Sequence, residues 1–221
     1  MRIRKKKWAQ PELDACSFFV KNPEELKGKW ASFFTKNQPI ELEVGCGKGT
    51  FVAEKALRNP DVNFIAMDIK SDMLGVGRRN IVNKFDAAQR EVTNIALVAH
   101  NVDKIFEVIG NGDKIDKIYI NFCNPWPRGK HNKRRLTHPT KLNLYKSFLK
   151  EGGEIHFKTD NDELFEDSLE YFKESGYELL KVVRDLHNSD VEGNIVTEHE
   201  KMFSDEGILI KYLVATLPKG N

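Results

Sequence analysis

The sequence predicts an α/β domain built on a mostly parallel sheet. Three observations carry that expectation. From residue 40 onward, short apolar runs alternate with helix-like stretches. A glycine-rich turn, Gly45-Cys46-Gly47-Lys48-Gly49, follows the first run and opens a helix-like stretch. Polar residues stand at the ends of successive runs: Asp68, Asn101 and Asn124. Alternating strand and helix implies parallel strands joined by helical crossovers. Ligands of such sheets bind beyond the carboxyl ends of the strands. Residues 43–49, Asp68, Asn101 and Asn124 are therefore expected along that edge.

Taken in order, residues 1–38 read as a mixed arm with a basic start, and 39–221 as the main domain. Asn22 before Pro23-Glu24-Glu25-Leu26 signals a helix start, with proline in the first turn. Residues 40–44 form a short apolar strand ending in glycines, and 50–57 a helix. A second strand covers 63–67, and a helix runs from 71 to about 85. The third strand is 95–99, followed by a short helix over 102–109. The fourth strand is 115–121. A helix over 141–149 leads to a fifth strand at 154–158. Asn161 caps a helix running to about 175. Residues 177–184 and 208–216 are the closing strands.

The chain has 221 residues, 40% hydrophobic and 31% charged, enough to bury a sizeable core. Its net charge is only +2, so any nucleic-acid footprint has to be local. Cations do cluster, as Arg2, Arg4, Lys5, Lys6 and Lys7, and as Arg128, Lys130, Lys133, Arg134 and Arg135. Cys16, Cys46 and Cys123 form no C-x-x-C pair, which suits a reducing cytoplasm. His100, His138, His156 and His187 are expected as packed or surface residues, since nothing has metal-ligand spacing. The basic start is followed by Trp8-Ala9-Gln10-Pro11, not an apolar run, which excludes a secretion signal. No apolar stretch is long enough to cross a membrane.

The pattern Glu43-x-Gly45-x-Gly47-x-Gly49 differs from the dinucleotide loop, because Thr50 stands where that loop has its last glycine. Glycines let the backbone turn tightly and approach a ligand. Asp68 is placed to bond ribose hydroxyls. The loop resembles the S-adenosylmethionine loop of Rossmann-like methyltransferases. That ligand is cationic and has no diphosphate, so a neighbouring acid is favourable. The bland alternative is a plain glycine turn.

Asn124-Pro125-Trp126 after the fourth strand resembles the motif with which amino-methyltransferases grip a planar nitrogen substrate. Trp126 either stacks on a base, worth about 1–3 kcal/mol, or shapes a proline-rigid turn from within the core. The basic run after it is either a solvated loop or a phosphate groove that relieves self-repulsion through counterion release. The arm from Arg2 to Lys7, with Trp8, either extends that groove or is a plain tail.

The segments ELEVGCGKG, MDIKSDML, NFCNPWPRGKHNKRRLTH, FKTDN and TEHE occur in that order. Together they resemble the bacterial single-subunit tRNA (guanine-N7-)-methyltransferases over nearly the whole chain. The most specific block is His131-Asn132-Lys133-Arg134-Arg135. The resemblance implies a class I methyltransferase fold with a seven-stranded sheet and helices on both faces. It implies S-adenosylmethionine as cofactor, tRNA as partner, a cytoplasmic location, and a monomer or homodimer. By the same resemblance, Glu43, Gly45, Gly47, Gly49, Asp68, Asn101 and Asn124 line the cofactor site. Arg128, Asp160, Thr197 and Glu200 contact the tRNA substrate. Lys130, His131, Lys133, Arg134 and Arg135 bind its backbone. The family methylates N7 of a guanine in the tRNA variable loop. Two positions depart from the family pattern: Asn124 and Asn101 stand where Asp is usual. Arg128 replaces a common Lys, which keeps the charge but changes its shape.

Guanine N7 carries a lone pair and no proton, so alignment matters more than a general base. Asn124 can accept a bond from the base but offers no charge. Asp160 is the candidate for the missing carboxylate, with helix capping beside Asn161 as its alternative. Thr197 and Glu200 sit in a short motif that, by itself, reads as a polar loop. Two other functions stay open: an amino-methyltransferase on a different substrate, and a non-catalytic RNA-binding module.

Overall fold

A computed structural model describes residues 5–218, so Arg2 and Arg4 of the basic arm lie outside the described residues. The chain forms two compact units divided between Asp113 and Lys114.

The first unit contains α1 (Ala9–Asp14), β1 (Phe19–Val20), β2 (Ile40–Val44), α2 (Thr50–Arg58), β3 (Asn63–Asp68), α3 (Ser71–Ala87) and β4 (Ile95–Ala99). Its strands run in the order β1-β4-β3-β2, and the pairings are parallel. All five residues of β2 are buried, so both of its faces are covered. The register matters for the site. Val44 pairs with Met67, and Asp68 with Ala99, so Asp68 ends up just beyond the last β2 residue.

Neither α1 nor β1 is expected from the local sequence pattern. The first turn of α1 lies against α3 at Gly75, where an added Cβ would meet the Ala9 Cβ at 2.5 Å. The Arg79 guanidinium lies 3.5 Å from the centre of the Trp8 ring and also pairs with Glu12. These are tertiary contacts with no local signature. Farther along the arm, Asp113 accepts from the Gly28 amide at 2.7 Å and the Trp30 amide at 3.0 Å. The Trp30 indole, fully buried, donates to the Val108 carbonyl at 2.8 Å. The helix expected after Asn22 is a single 3-10 turn, Pro23–Leu26. Asn22 does not cap it; its amide donates to Glu25 instead, at 3.0 Å.

The second unit contains β5 (Ile115–Asn121), α4 (Pro139–Tyr145), β6 (Leu149–Thr159), α5 (Asp162–Glu174), β7 (Glu178–Val183), α6 (Glu198–Asp205) and β8 (Lys211–Thr216). Its order is β5-β6-β8-β7; β5 and β6 are parallel, and the other two pairings are antiparallel. Two expectations need correction here. The helix expected over 141–149 starts at Pro139 and stops at Tyr145. The fifth strand starts at Leu149, well before 154. Between Leu149 and Glu154 the strand bulges: Ile115 pairs with Leu149, but Lys117 already pairs with Glu154. Gly152, at φ 72, turns this bulge. The described residues thus form eight strands rather than seven, the extra one being the two-residue β1.

One cross-strand cluster in this unit is titratable. The Glu154 carboxylate lies 2.8 Å from His156 Nε2 and 2.9 Å from Lys117 Nζ, while His156 Nδ1 meets the Tyr212 hydroxyl at 2.6 Å. The His156 hydrogen bond and the Lys117 charge outweigh burial and hold Glu154 down at about 2. A depressed carboxylate adds stability above its unfolded value and loses it as pH falls through the folded one. Glu154→Gln should therefore cost roughly 1–2 kcal/mol near neutral pH, after discounting for partial exposure. That difference should shrink steadily between pH 4.5 and pH 2. Urea midpoints of both proteins across that range give the check; parallel pH curves would contradict it.

Candidate functional site

In the first unit, β2 ends in the glycine turn, and α2 begins directly after it. Gly45, Gly47 and Gly49 adopt φ values of 79°, 53° and 65°, a region that favours glycine. The amides of Gly45 and Cys46 both donate to the Met67 carbonyl, at 2.8 and 2.9 Å. The Gly47 amide donates to Asp68 Oδ2 at 3.0 Å, and the Lys70 amide to Oδ1 at 2.9 Å. The turn is thereby fastened to the end of β3.

The three glycines divide by task. A Cβ at Gly45 or Gly47 would meet nothing within 4 Å. A Cβ at Gly49 would lie 3.3 Å from the Gly77 Cα of α3, and one at Gly77 would lie 3.2 Å from the Lys48 carbonyl carbon. So Gly45 and Gly47 border open space, while Gly49 is a packing glycine. Two carboxylates, Glu43 and Asp68, flank the loop. Burial pushes the Cys46 thiol well up, and the Glu43 and Asp68 carboxylates push it further. Glu43 itself is buried, with 4% exposure. Asn101, after β4, caps the following 3-10 turn by accepting from the Asp103 amide at 3.0 Å.

In the second unit, β5 leads into a strained turn. Phe122 and Trp126 have φ values of 51° and 45°, which side-chain-bearing residues adopt at a cost of about 1–2 kcal/mol each. Asn124 is exposed, and its Oδ1 accepts from the Trp126 amide at 3.0 Å. Trp126 packs against the basic segment: the Arg134 guanidinium lies 5.0 Å from its ring centre and the His131 ring 5.8 Å. The aromatic ring and the first cations after it are therefore one local structure.

That basic segment is a 3-10 turn, Gly129–Arg134, with Arg128 before it and Arg135 after it. Arg128, Lys130, Lys133 and Arg134 are exposed. Among the described residues none of these four pairs with a carboxylate, which leaves their charge available to an outside anion. Arg135 is different. Expected on the phosphate surface, it is fully buried and pairs with Glu163 at 2.8 Å and with Asp167.

Thr197 and Glu200, expected to contact the tRNA substrate, stand at the start of α6. Glu200 is fully buried, and Thr197 nearly so. Thr197 Oγ1 accepts from the Glu200 amide at 3.2 Å, and the Glu200 side chain turns back to the Thr197 amide, forming a capping box for α6. The rest of the Glu200 carboxylate is filled by Lys158 Nζ at 2.6 Å, Asn194 at 2.6 Å and His187 at 3.1 Å. Lys158 also donates to Asn194 Oδ1 at 3.1 Å and to the Ile195 carbonyl at 2.9 Å. Phe122 stacks on His199 and Phe203 of α6, at 6.3 and 6.1 Å. The strand-end turn meets α6 through this partly exposed aromatic stack, beside the buried Lys158–Glu200 network.

A sequence family described as "Putative methyltransferase" matches residues 37–212. The tRNA (guanine-N(7)-)-methyltransferase of Clostridium beijerinckii is 58% identical over 215 residues, which is 97% of this chain and 98% of the relative. The proteins of the same name from Acetivibrio thermocellus and Clostridium tetani are each 50% identical, over 97% and 98% of this chain and 99% and 100% of their own lengths. The chain belongs to the tRNA (guanine-N(7)-)-methyltransferase family. Its fold is that of class I methyltransferases. The 16S rRNA methyltransferase KamB aligns with TM-score 0.57 at 13% identity, over 98% of this chain and 96% of that one. The antibiotic-resistance methyltransferase Kmr aligns with TM-score 0.54 at 17% identity, over 83% and 88%.

Within this family member, Asp160 is half-buried after β6, and its backbone carbonyl accepts from Lys211 at 2.9 Å. Capping of α5 falls to Asn161, whose Oδ1 accepts from the Leu164 amide at 2.7 Å, so the Asp160 carboxylate is not the cap. Sequence reading missed Lys158, the most connected cation of the network. It also missed α6, although Thr197-x-x-Glu200 is a capping-box pattern and could have announced that helix.

Removing Lys158 leaves the Glu200 charge buried without the lysine cation that pairs with it. Lys158→Met is expected to cost about 3–5 kcal/mol in chemical unfolding. Lys158→Met combined with Glu200→Gln should recover part of that loss. A single-variant cost below about 1 kcal/mol would show that the network does not hold α6.

Proposed function

We propose that this chain transfers a methyl group from S-adenosylmethionine to N7 of a guanine in the variable loop of tRNA. The observation that carries the reading is kinship at 58% identity over nearly the full length of a tRNA (guanine-N(7)-)-methyltransferase. A cytoplasmic location and a monomeric or homodimeric state go with it.

The glycine loop fits that cofactor. Its amides at Gly45, Cys46 and Gly47 are already committed to Met67 and Asp68, so it offers no ready cradle for a diphosphate. Carboxylates at Glu43 and Asp68 favour a ligand that carries sulfonium and ammonium charge. Gly45 and Gly47 leave room against the backbone. When bound, S-adenosylmethionine supplies an electrophilic methyl group, which passes from sulfur to the guanine N7 lone pair.

Because N7 has no proton to lose, the chain's residues have alignment and charge to provide rather than a base. Asp68, fixed by two backbone amides, keeps acceptor capacity for ribose hydroxyls. Asn101 has its oxygen engaged and offers its amide N–H groups. Asn124 has one oxygen lone pair engaged with Trp126, leaving its second lone pair and its N–H groups for substrate. Methylation makes the purine cationic and its N1–H more acidic, so a carboxylate nearby stabilises the product-like state. Asp160 supplies that carboxylate in place of Asn124. Arg128, Lys130, Lys133 and Arg134, with His131, bind the tRNA backbone. Thr197 and Glu200 act by holding the α6 segment in place.

The test is transfer of labelled methyl from S-adenosylmethionine to bulk tRNA, with the modified nucleoside identified. N7-methylguanosine is the expected product. Label on an exocyclic amine would move the activity to an amino-methyltransferase, and binding without transfer would leave an RNA-binding module. Asp160→Asn should lower the rate about tenfold or more, which is about 1.4 kcal/mol of transition-state stabilisation. Asn124→Asp should keep the rate, and Asn124→Ala should lower it. Full activity in Asp160→Asn removes Asp160 from the chemistry.

A further inference from the structure

We infer that Arg135 is a positioning residue for the Asn124–Pro125–Trp126 turn, not one of the phosphate contacts. The inference rests on the tRNA-methyltransferase reading above. In the sequence, Arg135 is the last of five cations and looks like the others. In the structure its side chain has 0% exposure, whereas Lys133 and Arg134 beside it are exposed.

Its hydrogen bonds run in three directions. Nε donates to the Pro125 carbonyl at 2.8 Å. Nη2 donates to Glu163 at 2.8 Å, and Nη1 to Asp167. Glu163 and Asp167 are four residues apart, so they share one face of α5. A planar guanidinium can bridge a carbonyl on one edge and two carboxylates on the other. The Arg135 amide also closes the basic 3-10 turn on the Asn132 carbonyl at 2.9 Å. The result is a clamp between α5 and the middle of the strand-end turn.

That turn needs a clamp. Phe122 and Trp126 both sit at positive φ, and such conformations persist only where surrounding contacts over-determine them. The Pro125 carbonyl lies between Asn124, whose side chain holds the Trp126 amide, and Trp126 itself. Fixing that carbonyl fixes the Pro125–Trp126 peptide plane, whose N–H in turn holds the Asn124 side chain. The basic segment therefore does two separable things: four exposed cations face an anion, and the buried fifth holds the turn that presents Asn124.

The two roles predict different measurements. A phosphate contact contributes about 0.7–0.9 to the slope of log affinity against log salt. Lys133→Ala is the control for such a contact and should lower the slope by about that amount while raising KM for tRNA. Arg135→Gln should leave the slope unchanged, keep KM within about twofold, and lower kcat about tenfold or more. Arg135→Lys keeps the charge but not the fork, and should not rescue kcat. A slope lowered as much as in Lys133→Ala, or full rescue by lysine, would overturn the inference. If Arg135→Gln does not fold, Glu163→Gln combined with Asp167→Asn loosens the clamp while leaving Arg135 in place. Its kcat should fall, and an unchanged kcat overturns the inference. Acrylamide quenching of the Trp126 emission, isolated by subtracting a Trp126→Phe protein, needs no substrate. It should rise in Arg135→Gln, and no rise speaks against the clamp. Should wild-type protein fail to methylate tRNA, the function falls, while this readout still decides the clamp.

Discussion

A charge taken out of water has to be met by opposite charge and by enough dipoles to fill its hydrogen-bonding positions. Much of the second unit is organised around that constraint. Lys158 is 4% exposed and Glu200 not at all, and together with Asn194, His187 and the Ile195 carbonyl they complete one another's bonds. Lys211, at 5% exposure, repeats the pattern with Asp162 and the Asp160 carbonyl. Arg135 repeats it with Glu163 and Asp167. Each cluster joins a strand or turn to a helix. Such pairs add little net stability over well-packed apolar groups, but they tolerate few alternative geometries. Here they fix Asn124, Asp160 and α6.

The first unit solves a different problem by different means. Its glycine turn is secured by backbone amides on Met67 and by one carboxylate on Gly47, not by buried cations. Burial, and after it the Glu43 and Asp68 carboxylates, push the Cys46 thiol of this turn upward. The buried acid Glu43 and the strand-end acid Asp68 thus flank a turn whose own amides are turned inward.

Much of this was legible in the sequence, because the signals are local. The strands at 40–44, 95–99 and 115–121 follow directly from their apolar runs, and the Asn161 cap from its residue type. What escaped was set by contacts distant in the chain. Helix α1 depends on the bare backbone at Gly75, and no window around residue 9 contains that information. Arg135 belongs to a uniform-looking charge run, and only α5 distinguishes it from Arg134. Thr197-x-x-Glu200 is the exception: its capping-box spacing was readable, but a charged tetrapeptide followed by few apolar residues read as a loop. Burial of Glu200 comes from Lys158, forty-two residues earlier in the chain.

The approach of Gly49 to Gly77 has a mechanical consequence. Where two backbones meet without side chains between them, no rotamer can swing aside to absorb a displacement. The glycine turn and α3 should then move together as one stiff piece, with the compliance of peptide planes rather than of side chains. A ligand settling against Gly45 and Gly47 meets a surface already in its final shape, so little ordering entropy is lost on binding.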